Sequence, residues 1–154
     1  MPYTACYVDD GKGVHKTGHG LITGFEIIAG ALQEAKIQER SRKLRYFLVD
    51  FSDVTEMQVT PEDVRRIIEM NHKTASFVPD SLVAIVAPSA LPYAMSRLWH
   101  TLSDDLSWKS NVFHTRQDAF AWLRKQMLTR HDPATIRQEF PSLGWPELSE
   151  LEEA

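Results

Sequence analysis

The chain has a single cysteine, Cys6, among 154 residues. It cannot form an internal disulfide, and one thiolate cannot build a metal site, so the fold must rest on packing. Long apolar runs are also missing: none approaches the roughly 20 residues that span a bilayer. The first residues lack the basic-then-apolar pattern of a secretion signal. The expectation is a cytoplasmic protein that is not membrane-embedded. Basic charge is not in excess either, since 17 Lys and Arg face 21 Asp and Glu for a formal net charge of −4. A groove for nucleic acid demands a basic face, so no nucleic-acid partner is expected.

Sequence motifs for cofactors and covalent chemistry are absent as well. Gly13 and Gly18 are five apart, as in a Walker A loop, but His19-Gly20 stands where Lys and Ser/Thr are required. Gly11-Lys12-Gly13 lacks the third glycine of a dinucleotide fingerprint, so hairpin-turn and strand-end roles fit these glycines better. The six histidines are scattered. His15 and His19 would lie roughly 13 Å apart along a strand, and His72, His100, His114 and His131 fall on separate elements without ligand spacing. No Gly-x-Ser-x-Gly elbow occurs, and Cys6 sits in a predicted strand, where a small buried hydrophobe is the usual role. No cofactor and no metal are expected.

What is present is an ordinary globular composition, 43% hydrophobic and 25% charged, in an alternating strand and helix pattern. Tyr3 to Val8 and Val14 to Gly18 flank the turn residues Asp9-Asp10-Gly11 and read as a hairpin. Thr23 and Glu26 form a capping box for a helix from about Gly24 to about Glu39, with Phe25, Ile28, Leu32 and Ala35 as its apolar stripe. Tyr46-Phe47-Leu48-Val49 predicts a central strand ending at Asp50. Thr60-Pro61-Glu62-Asp63 starts a second helix. Leu82 to Ala87 is another buried strand, followed by a helix from about Leu91 with Met95, Leu98, Trp99 and Leu102 inward. A short strand at Ser110 to Phe113 precedes a helix capped by Thr115, with Ala119, Trp122, Leu123 and Met127 as its stripe. The expected fold is α/β: a mixed sheet of about five strands, an antiparallel hairpin followed by parallel strands, flanked by four helices.

Residues 3–128 form the predicted domain, and 129–154 a C-terminal extension in which Asp132-Pro133 starts a short helix. Glu147, Glu150, Glu152 and Glu153 carry the whole charge imbalance at the end of the chain. That extension is either a solvated end, or, given Phe140, Leu143, Trp145, Leu148 and Leu151, a segment docked on the body or on a second subunit.

The candidate site follows from the sheet. Ligands of α/β folds bind beyond the carboxyl ends of the strands, where Asp50, Ser52, Asp53 and Thr55 follow one strand and Pro88, Ser89 and Tyr93 the next. Arg97 and His100, about one and two turns beyond Tyr93, could face the same cleft and meet an anionic head group. The candidate ligand-binding residues are Asp50, Ser52, Asp53, Pro88, Tyr93, Arg97 and His100. The competing reading gives the loop residues only capping and turn-closing roles.

Leu48-Val49-Asp50-Phe51-Ser52-Asp53-Val54, Thr60-Pro61-Glu62-Asp63, Val83-Ala84-Ile85-Val86-Ala87-Pro88, then Tyr93, Arg97 and Trp99, and finally Val112-Phe113-His114 with Ala119, Trp122 and Leu123 make an ordered series over about Tyr3 to Leu128. The series resembles the bacterial SpoIIAA-like proteins of the STAS and CRAL-TRIO type. The resemblance implies a five-stranded mixed sheet flanked by helices, and a homodimer. In anti-anti-sigma relatives a loop serine is phosphorylated; the matching stretch here is Gln58-Val59-Thr60-Pro61, with Val59 at the serine's place and Thr60 committed to a cap. The CRAL-TRIO side implies an apolar pocket for a lipid-like ligand. The functional expectation is a non-enzymatic regulatory or binding domain for a protein partner, a second copy, or an apolar or lipid-like small molecule. Its alternatives are a phospho-switch, or an enzyme using Asp50, Ser52 or His100.

Overall fold

A computed structural model gives the fold and describes residues 2–145. Its elements are β1 (Tyr3–Val8), β2 (Gly13–Thr23), α1 (Gly24–Ser41), β3 (Tyr46–Gln58), α2 (Pro61–Phe77), β4 (Leu82–Val86), α3 (Ala90–Leu102), β5 (Lys109–Phe113), α4 (Arg116–Leu128) and α5 (Pro133–Glu139), then a 3₁₀ turn at Pro141–Leu143. The five strands lie in sequence order, with β1 antiparallel to β2 and all other neighbours parallel. This is the mixed α/β sheet expected from the alternation.

Each helix start has a local cause. Thr23 and Glu26 form a reciprocal capping box at α1, as do Thr60 and Asp63 at α2, each satisfying two amide donors. Thr115 and Asp132 accept from the amides of Asp118 and Thr135 at α4 and α5. The hairpin turn places Asp9, Asp10 and Gly11 at positive φ, a region that Asp and Gly tolerate better than most residues.

Three successive β-α-β crossovers step in one direction across the sheet, and α1, α2 and α3 pack on the same face. The core there joins Phe47, Phe51, Val83 and Ile85 to Val64, Ile67 and Trp99. The opposite face is covered by α4, α5 and the 3₁₀ turn, through a second core that includes Tyr46, Leu48, Ala84, Leu123, Ile136, Phe140 and Leu143. The extension thus packs on the body through Ile136 and Leu143, both fully buried, and Phe140, nearly so. Trp145 is half-buried and donates from Nε1 to the Phe140 carbonyl at 2.7 Å. Leu148, Leu151 and the four glutamates lie outside the described residues.

Several local expectations are corrected. β3 does not end at Asp50: it continues to Gln58 because β2 is 11 residues long and pairs with it up to Thr23 opposite Gln58. Register shifts between Thr17 and His19 and between Gly20 and Leu21 put Phe51, Val54 and Met57 on the core side despite their spacing of three, as irregular pairing allows. Phe25 is 79% exposed, and Leu32 is exposed as well; α1 buries Ala31, Glu34, Ala35 and Gln38 instead. In α3 the buried positions are Pro92, Ser96 and Trp99, while Leu102 is exposed. Cys6 is exposed, because β1 is an edge strand and α4 packs over β3, β4 and β5.

Candidate functional site

Between the sheet and α1–α3 lies a cavity of about 90 Å³. Its walls are mostly apolar, from Phe47, Phe51, Met57, Ile67, Ile85 and Trp99 among others. Two indoles close it through hydrogen bonds that fix their rings: Trp99 Nε1 donates to Asn71 Oδ1 at 2.9 Å, and Trp108 Nε1 to the Val78 carbonyl at 2.8 Å. Trp108 also packs against Phe47 with ring centroids 4.8 Å apart. Val59 is part of this wall.

One charged side chain enters the apolar lining. Lys16 on β2 alternates in phase with Val14, so the pleat turns both toward the helices, and the residue is only 6% exposed. Its Nζ is 3.1 Å from Glu34 Oε1 on α1 and 5.6 Å from the Phe47 ring centroid. Glu34 is held in turn by Tyr7 Oη, donating to Oε2 at 2.7 Å, and by Gln38 Nε2, donating to the same oxygen at 3.0 Å. Oε1 has the ion pair but no well-angled donor. Gln38 is itself anchored, because its Oε1 accepts from Ser41 Oγ and the Leu44 amide. Burial lowers the Lys16 pKa and the neighbouring Glu34 carboxylate opposes that shift. Burial also raises the phenols of Tyr3 and Tyr7, helped by Glu34, so both stay protonated at neutral pH.

Tyr3 and Lys16 are shared between this cavity and an outer groove along β1 and α1, lined also by Phe25, Ala29 and Glu34. Gly30, in the outer groove, lets α1 approach Tyr3 closely: a Cβ there would meet the Tyr3 ring at 3.0 Å. The ion pair therefore separates an inner apolar space from an outer one.

The sequence-derived site residues are distributed over several places. Asp50 and Ser52 come together: Ser52 donates to Asp50 Oδ1 from its amide at 2.9 Å and from Oγ at 2.6 Å, and Arg116 pairs with Asp50 Oδ2. They lie within β3, on the α4 side of the sheet and away from the cavity. Near them, Tyr46 Oη donates to Asp9 Oδ2 at 2.9 Å and lies 3.4 Å from His15 Nε2. Burial, with the Arg116 charge, lowers the His15 pKa, against the pull of Asp9 and Asp50. Asp53 is exposed, 3.7 Å from His19 Nδ1. Pro88 is exposed in the turn after β4. Tyr93 stacks on His114 with centroids 4.2 Å apart, and Arg97 is exposed. His100 lies at the other end of α3, with Nδ1 2.7 Å from Ser110 Oγ at the start of β5. Tyr93 against His114 and His100 against Ser110 thus stand toward opposite ends of α3. Their helix runs from the carboxyl edge of the sheet to its amino edge.

Lys16, Glu34 and Tyr3 were not singled out in the sequence. The signal was partial: Lys16 follows Val14 in the inward phase of β2, whereas Glu34 lies outside the Phe25, Ile28, Leu32 and Ala35 stripe and is turned inward by the packing of α1.

No family model matches the sequence, and no curated protein matches it. The solved structure of an uncharacterized protein of the DUF3478 family with a SpoIIAA-like fold, from Shewanella loihica PV-4, is similar to this chain with a TM-score of 0.49 and 14% identity. The match covers 79% of this chain and 91% of that one.

Proposed function

We propose that this protein is a non-enzymatic binding domain that holds a small, largely apolar molecule between its sheet and α1–α3. The observation that carries this reading is the 90 Å³ cavity with a single ion pair at its wall. Small-molecule sites commonly combine an apolar lining with a few placed polar groups. An apolar cavity of roughly 150 Å³ takes up benzene, so the present one suits about three to five non-hydrogen atoms. That is the size of a short acyl or alkyl group, and a long lipid chain would require α2 and α3 to part.

The test is a titration with xenon followed by carbon-proton spectra of labelled methyl groups. Saturable shifts at the methyls of Met57, Ile67 and Ile85 are expected. Ala31→Leu, which adds side-chain volume to the wall, should abolish them. The absence of any saturable methyl shift in the wild type refutes the proposal.

A further inference from the structure

We infer that the molecule held in this cavity carries an uncharged, hydrogen-bond-accepting head group, a carbonyl, amide or hydroxyl, and that Glu34 excludes the corresponding carboxylate. The inference rests on the binding reading above and concerns what sits against Lys16. Lys16 is the charged residue of the cavity wall, and its ammonium has three N–H donors. Its Nζ pairs with Glu34 Oε1 at 3.1 Å without a well-angled bond, and among the described residues it has no other polar partner. The cavity therefore offers a donor to an incoming oxygen. Tyr3, whose phenol stays protonated at neutral pH, lines the same cavity.

The charge on that donor is already balanced. Glu34 is 3% exposed and is fixed by Tyr7 and Gln38, so it cannot swing away to make room for another anion. A ligand carboxylate bonded to the same ammonium would stand close to the Glu34 carboxylate in a poorly solvated site. Like charges at such separations repel strongly where water is excluded. A neutral carbonyl takes the same N–H bond without that repulsion.

Propionamide and propionate have the same shape and differ in charge, so they separate the possibilities. By the methyl-shift titration at pH 7, wild-type protein is expected to bind propionamide at least tenfold more tightly than propionate. Burial alone disfavours any ion, so the deciding arm is Glu34→Gln, which leaves Lys16 without its counter-charge. In that variant the preference is expected to vanish or turn toward propionate. Equal binding of both probes to the wild type overturns the inference, as does a preference that survives Glu34→Gln unchanged. If Glu34→Gln does not fold, the wild type is titrated with propionate on both sides of that ligand's own protonation. The neutral acid is expected to bind like propionamide, and equal binding at both pH values overturns the inference. Xenon is the common control: failure of xenon as well removes the binding reading itself, whereas xenon uptake with no head-group preference removes only the inference.

Discussion

Removing one member of the Lys16 and Glu34 pair should cost far more stability than removing both. At 3.1 Å and an effective dielectric of about 20, the attraction between the two charges is about 5 kcal/mol. Taking two ions out of water costs several kcal/mol each, so the pair as a whole contributes little beyond what well-packed apolar side chains would. The asymmetry appears on truncation. With side-chain exposures of 8% and 2%, whichever ion remains is buried and uncompensated, a loss of about 3–5 kcal/mol. Lys16→Met is expected at about that cost. Glu34→Gln should lie at the lower end, since the amide oxygen still accepts from Tyr7. The double variant Lys16→Met with Glu34→Gln should be more stable than Lys16→Met alone. Urea unfolding at pH 7 measures all four proteins, with an unchanged slope showing that the change is one of stability. Single variants that each cost under about 1 kcal/mol and add independently would refute the burial argument.

Three further outcomes test other parts of the molecule. His15 has its folded pKa held below 6.5, first by burial and then by Arg116; its neutral form therefore adds stability that is complete above pH 6.5 and is lost as pH falls through the folded pKa. Its ring protons, followed by proton NMR, should titrate below 6.5, and a midpoint above that value contradicts the assignment. Phe140 is 1% exposed in the core under α4, so Phe140→Ala should cost about 3–5 kcal/mol in urea; a loss below about 1 kcal/mol would mean that the extension is not part of that core. At Gly13 a Cβ would stand 2.3 Å from Cζ of the fully buried Tyr46 ring, whereas at Gly20 it would meet nothing within 4 Å. Thermal melts should show Gly13→Ala destabilised by about 1–3 kcal/mol or more through overpacking, and Gly20→Ala by about 1–2 kcal/mol through its positive φ alone. The reverse order would contradict the packing around Tyr46.

Local chemistry was legible in the chain wherever neighbouring residues settle the outcome. Thr23 with Glu26, Thr60 with Pro61 and Asp63, Thr115 with Asp118 and Asp132 with Pro133 mark four helix starts that the structure contains. The apolar runs Tyr46 to Val49 and Leu82 to Val86 are strands because they are covered on both sides, and the alternation of elements sufficed for a mixed sheet of five strands. Which side of each element would be covered was not available locally. Phe25 has the spacing of a core residue but lies in solvent, because α1 packs through its Ala31, Ala35 and Gln38 side. Asp50, Ser52, Asp53 and Thr55 read as residues following the strand, and only the length of β2 beside them extends the strand to Gln58.

The candidate site divides in the same way. Asp50 and Ser52 are two residues apart, and their hydrogen bonds form from chain proximity. Arg97 and His100 were placed by helical spacing, but only the packing of α3 decides which residues line the cavity, and these are Met95, Ser96 and Trp99. The Lys16 and Glu34 pair spans 18 positions of sequence and two kinds of element. Its existence depends on how far α1 returns along β2, which no local pattern encodes. The sequence by itself determined the order of strands and helices and the caps that start them, because those depend on residues within a turn of one another. Tertiary structure alone decided the cavity, its buried charge and the docked extension, because each depends on which surfaces meet once the sheet has formed.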